Sequence, residues 1–97
     1  MKFRKKPIVI EAFQMTAKRR MDTSEWPNWL TQAQQKSESA AGALYLQKST
    51  GAGPDLLCIH TLEGLQLVNT DDWIIQGVRG ELYPCRPYIF KATYELV

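Results

Sequence analysis

Residues 57–83, LCIHTLEGLQLVNTDDWIIQGVRGELY, repeat one pattern twice: an apolar run, a charged residue followed by glycine, and a second apolar run. Runs 57–62 and 65–68 flank Glu63-Gly64, and runs 73–78 and 81–83 flank Arg79-Gly80. Each pair predicts a β-hairpin with a two-residue loop ending in glycine, because that residue adopts the positive φ such turns require. With a turn at Asn69-Thr70-Asp71-Asp72, the two hairpins predict a four-stranded antiparallel meander. Residues directly opposite one another point to the same side of a sheet. On the expected register Leu62 faces Leu65 and His60 faces Leu67, which groups Cys58, His60, Leu62, Leu65 and Leu67. In the second hairpin Leu82 faces Gly77 and Pro84 faces Ile75. Trp73, Ile75 and Leu82 then form an apolar side, while Ile74, Gln76, Glu81 and Tyr83 share a mixed side left to meet solvent or a partner.

Upstream, residues 8–15 (IVIEAFQM) carry β-branched residues and predict a first strand. Apolar residues on both of its faces predict that it is central or covered on each side. Residues 17–21 read as a basic connector. Asp22, Thr23 and Ser24 offer caps, and Pro27 fits a first turn, which predicts a helix over 24–35. Trp26, Trp29, Leu30 and Ala33 fall at i, i+3, i+4 and i+7, one stripe to lay on a sheet. The small and polar segments 36–42 and 49–55 read as loops around a short strand at 43–48. After Arg86, whose proline neighbour holds it extended, a turn or helix is expected at 87–92 and a closing strand at 93–97, beside the first.

Ninety-seven residues, 44% of them apolar, make one domain over 1–97, with no room for a second core. The expected class is α+β: a curled or barrel-like antiparallel sheet of about five to seven strands with a C-terminal meander and one main helix packed on it. Twelve basic and ten acidic residues leave a net charge of +2, too balanced for a surface that grips long nucleic acid. No apolar run approaches the roughly 20 residues of a membrane span, and the basic start lacks the apolar block of a signal peptide, so a cytoplasmic protein is expected.

Cys58 and Cys85 lack metal-clamp or redox spacing and read as free thiols, and His60 is the sole histidine. Cys58 and His60 lie two apart on one strand, the outline of a nucleophile pair, but no orienting group or oxyanion site accompanies them. A packed thiol and a satisfied histidine account for both. Asp71 and Asp72, with Glu63 or Glu81, could hold a hard cation, yet a turn explains the Asx residues without one. Neither a catalytic group nor a metal or cofactor is expected. The basic clusters at Lys2, Arg4, Lys5, Lys6 and at Lys18, Arg19, Arg20 lie about 40 Å apart along a straight strand. They are too distant for one small anion in one subunit, though in a symmetric homo-oligomer one cluster could meet another. Arg79 and Arg86 are better placed, beside Trp73 and Tyr83, where a guanidinium holds phosphate while a ring stacks a base. With Gln76 they form the expected ligand-binding set, and Trp26 and Trp29 form the expected partner-binding pair.

KKPIVIEAFQM, the Trp-Pro-x-Trp-Leu helix start and the ending DDWIIQGVRGELYPCRPYIFKATYELV together resemble a family of small proteins encoded in tailed-phage and prophage genomes. The matching positions of its PGDYG-type ending are Asp72-Trp73, Gly80-Glu81, Tyr83-Pro84, Phe90 and Tyr94-Glu95, with Asp71 where that pattern has glycine. The resemblance implies a phage protein in a bacterial host cytoplasm and brings no catalytic residues. The function expected is therefore non-enzymatic binding that interferes with a host or antiphage-defence component, most sharply by sequestering a nucleotide-like signal. A protein-binding inhibitor of a host or defence protein is the alternative, and a small hydrolase comes third.

Overall fold

The computed structural model describes residues 1–49, 51 and 53–97. Thr50 and Ala52, within the loop expected at 49–55, lie outside the described residues. The elements run β1 (Glu11–Gln14), α1 (Ala17–Met21), a 3-10 turn (Thr23–Glu25), α2 (Asn28–Gln34), β2 (Leu44–Gln47), β3 (Leu56–Thr61), β4 (Gly64–Leu67), β5 (Trp73–Gln76), β6 (Leu82–Cys85) and α3 (Pro87–Thr93). The class is α+β, as the sequence predicts. The strands form two antiparallel sheets of three, ordered β1-β5-β6 and β2-β3-β4, which do not close into a barrel.

The expected meander breaks at its middle turn. β4 pairs only with β3, and β5 lies between β1 and β6. Asn69 to Asp72 does form a turn, closed by the Asp72 N–H on the Asn69 carbonyl at 3.0 Å, with Asp71 at φ 70°. That turn passes the chain from one sheet to the other: Met15 N–H donates to Asp72 O and Asp71 N–H to Met15 O, both at 2.8 Å. β5 is thereby drawn onto β1.

The second hairpin turns through three residues rather than two. Gly77 and Glu81 form its closing pair, Gly77 N–H to Glu81 O at 2.8 Å, and Gly80 sits at φ 83° after a tight turn closed on the Gly77 carbonyl. The extra residue shifts the register by one, so Ile75 opposes Tyr83 and Gln76 opposes Leu82. A one-residue shift exchanges faces. Gln76 and Tyr83 therefore project to opposite sides of the sheet, and the mixed face expected of this hairpin does not exist. Ile74 and Leu82 face the core with Phe13, while Trp73, Ile75, Tyr83 and Cys85 face the other way. The same register accommodates Pro84: hydrogen-bonded pairs alternate from Gly77–Glu81, so Pro84 opposes Ile74 at a site that asks no donor of it.

In the first hairpin the loop is Leu62-Glu63 and Thr61 opposes Gly64, a shift of two from expectation. A shift of two preserves faces. Cys58, His60, Leu65 and Leu67 still share one side, with Leu62 carried out into the exposed loop.

Between the sheets lies the core of Phe13, Met15, Leu30, Ala33, Leu44, Leu57, Ile59, Val68, Ile74 and Leu82. The predicted stripe of α2 covers it, with Leu30 and Ala33 buried and Trp26 and Trp29 packed at its margin. The helix is shorter than expected because Pro27 starts it, the 3-10 turn taking 23–25. Residues 17–21 are helix α1 rather than a connector, capped by Thr16, whose hydroxyl accepts from the Arg19 N–H at 3.2 Å. Arg19 fastens this helix to β1: its guanidinium lies over the Phe13 ring at 4.5 Å and donates to the Gln14 carbonyl at 2.9 Å. The first strand is shorter than expected and lies at the sheet's edge, and residues 94–97 form no closing strand. α3 lies on the far side of the β1-β5-β6 sheet, where Phe90 stacks on Trp73 with ring centroids 4.1 Å apart.

Candidate ligand cleft

The two hairpin tips, each bent through a glycine at positive φ, stand on either side of a cleft of about 420 Å³. Thr61, Leu62 and Glu63 come from one tip, Arg79, Gly80, Glu81, Leu82 and Tyr83 from the other, and Lys36, whose Nζ donates to the Ala41 carbonyl at 3.4 Å, lines it from the loop after α2. Both tips are internally braced. Thr61 Oγ1 donates to Gly64 O at 2.7 Å and accepts from the Glu63 N–H at 3.2 Å, while Glu81 accepts from the Arg79 N–H at 2.9 Å. The Glu81 carboxylate lies where a Cβ on Gly77 would sit, so the closing glycine makes room for that brace. The cleft thus offers two cations, Lys36 and Arg79, two carboxylates, Glu63 and Glu81, and the exposed Leu62, and is bordered by β6 at Leu82 and Tyr83. Its size falls within the range of pockets that take small organic ligands.

The five expected ligand residues divide between places. Arg79 and Tyr83 line this cleft. Gln76 points to the opposite face from Tyr83. Trp73 and Arg86 lie at the other end of the hairpin, where Trp73 opposes Cys85 and is stacked on Phe90. Arg86 is occupied there: with the Asn69 amide oriented by its hydrogen bonds, Oδ1 accepts from Arg86 Nη1 at 2.7 Å and Nη2 at 3.1 Å. Asp72 stands beside them, 2% exposed, accepting from the Asn69 N–H at 2.8 Å and 3.9 Å from Arg86 Nη1. Arg86 therefore serves the turn between the sheets. The partner-binding pair is likewise committed inward, since Trp26 and Trp29 pack on the core and Trp26 Nε1 donates to Arg19 O at 2.8 Å.

Lys36, Leu62 and Glu63 were not among the expected ligand residues. The repeated charged-residue-glycine tip is the signal for Leu62 and Glu63, once both tips are placed side by side; Lys36, in the loop after α2, has none.

Tyr83 also borders a second cleft, of about 470 Å³, between residues 5–10 and residues 93–97. Burial, followed by its hydrogen bond with Tyr94, pushes the Tyr83 phenol up to about 12. Burial also raises both thiols, with the nearby Asp72 adding to the effect at Cys85. Both cysteines are free, and as neutral thiols they are poor nucleophiles near neutral pH. Among the described residues, no group of three or more His, Cys, Asp and Glu side chains gathers to hold a metal ion, and no helix is long and apolar enough to cross a membrane. Compared with known proteins, the chain matches no family model, no curated protein and no solved structure.

Proposed function

We propose that this is a non-enzymatic binding protein that captures a small nucleotide-like anion in the cleft between the hairpin tips. The observation that carries the reading is the convergence of Lys36 and Arg79 on one cleft of about 420 Å³, which Tyr83 borders. Lys36 and Arg79 supply the charge a phosphate needs, and Arg79 adds a planar fork suited to two phosphate oxygens. The exposed Leu62 supplies apolar surface for a base, and Glu63 can accept from an amino or hydroxyl group of the ligand. The resemblance to phage-encoded proteins gives such capture a purpose, removal of a nucleotide signal used by host defence in the bacterial cytoplasm. The test is titration calorimetry of the purified protein with nucleoside mono- and diphosphates and short oligonucleotides. Binding is expected, with Arg79→Ala and Lys36→Ala each weakening it by about tenfold or more. No binding at millimolar nucleotide would overturn the reading, and recovery of a chemically altered nucleotide would replace it with an enzyme.

A second reading, a protein-binding inhibitor, draws on a different surface from the two tryptophans. The outer face of the β2-β3-β4 sheet exposes Leu56, Leu65 and Leu67, all more than two-fifths accessible, around Tyr45 and Cys58. Exposed contiguous apolar surface of this kind marks contact sites. Co-purification of one stoichiometric host protein, lost on Leu65→Lys, would favour it.

A further inference from the structure

The outer edge of β1 has unspent hydrogen-bonding groups. The Met15–Asp72 bond sets the alternation along β1 and β5, making 13/74 and 11/76 the bonded pairs. Ala12 and Gln14 consequently present their N–H and C=O to the side away from β5. Arg19 takes the Gln14 carbonyl at 2.9 Å, while the Ala12 N–H and C=O meet no partner among the described residues. Upstream, Ile8-Val9-Ile10 has the composition of a strand, yet residues 1–10 belong to no strand or helix and take part in no backbone hydrogen bond outside such elements among the described residues. Phe3, Ile8 and Val9 are exposed at 89%, 52% and 75%. The molecule measures 51 × 26 × 25 Å, long for its mass.

We propose that residues 8–12 pair antiparallel with the same residues of a second copy of this chain, about a two-fold axis at Ile10, joining two three-stranded sheets into one of six. An isologous contact requires one stretch to be complementary to itself in reverse. Here the unpaired arm, Ile8 and Ile10, lies opposite the second copy's open edge, Ala12 and Ile10, and the reverse. Residues 8, 10 and 12 turn their backbone groups toward the partner copy, whereas Pro7, which has no N–H, sits at a position that turns away from it. The four cations at Lys2 to Lys6 would stack on one another in a parallel pair, whereas antiparallel pairing about Ile10 holds the two Lys5 side chains about 30 Å apart. The arrangement also places β1 inside a sheet, which is what its apolar residues on both faces predict.

Light scattering on the full chain at about 100 μM should give twice 11.1 kDa. Ile10→Pro deletes an N–H that faces the second copy and should raise the dimer dissociation constant by at least roughly tenfold, leaving the circular dichroism of the monomer unchanged. Val9→Pro deletes one that faces the other way and should leave the dimer intact. A monomeric wild-type protein, a dimer indifferent to Ile10→Pro, or equal loss in both variants would overturn the proposal.

Discussion

Arg86 and Asp72 show how one turn can decide where a charged side chain belongs. The Asp72 carboxylate is almost wholly buried, and the nearest cation to its Oδ1 is the Arg86 guanidinium at 3.9 Å. Arg86→Ala removes that cation and the two bonds to Asn69 together, so it is expected to lower stability by about 1–3 kcal/mol in urea unfolding while leaving nucleotide affinity unchanged. Arg79→Ala should do the opposite. At Tyr83 the folded-state phenol is raised above its usual 10 to about 12, so the folded protein holds that proton more tightly than the unfolded chain does. The associated stability is complete below pH 10 and is lost as pH rises through about 12. Denaturation midpoints measured from pH 9 to 12 should fall, and Tyr83→Phe should flatten the profile. Residue chemistry was legible where it is local: the Asx turn at 69–72 was readable because Asp tolerates the φ of 70° that Asp71 adopts. The clasp of Arg86 was not, because Asn69 and Asp72 meet it only after the strands have paired.

Among the elements, the hairpins divide in the same way. A charged residue followed by glycine announces a tight turn, but whether that glycine follows a two-residue loop, as Gly64 does, or ends a three-residue one, as Gly80 does, depends on which flanking residues close the ladder. At the first tip the ladder closes two residues from the expected register, which keeps Cys58, His60, Leu65 and Leu67 on one face. At the second the shift is one, and Gln76 parts from Tyr83. Gly80→Ala tests the three-residue geometry, since a Cβ at φ 83° strains the turn although no neighbour would touch it. A cost of about 1 kcal/mol is expected in chemical denaturation, together with a weaker ligand response, because Arg79 is carried on that turn. The stripe on α2 was readable because 3.6-residue periodicity needs no knowledge of what it covers. Its tryptophans pack at the margin of the core, and the stripe alone does not say so, because the same spacing suits a core or an interface.

At the scale of the whole molecule, the division into two sheets left no mark in the sequence. An apolar strand reads alike whether its neighbour is adjacent in the chain or some sixty positions away, and β5 takes the distant one. The open outer face of the β2-β3-β4 sheet and the unpaired arm were equally invisible, being defined by what fails to cover them. The α+β class was legible because strand and helix patterns are local. The clustering of Arg79 with Lys36 was not, because it requires the two tips to converge.

The interleaved order of the strands has a consequence for biosynthesis. β2, β3 and β4 are consecutive and pair only with one another, but β1, made before them, must wait for β5, made after them. A released polypeptide ending near Asn69 would therefore carry one three-stranded ribbon whose inner side lacks Ile74 and Leu82, and a greasy leading segment with nothing to hold it, a species in need of a chaperone.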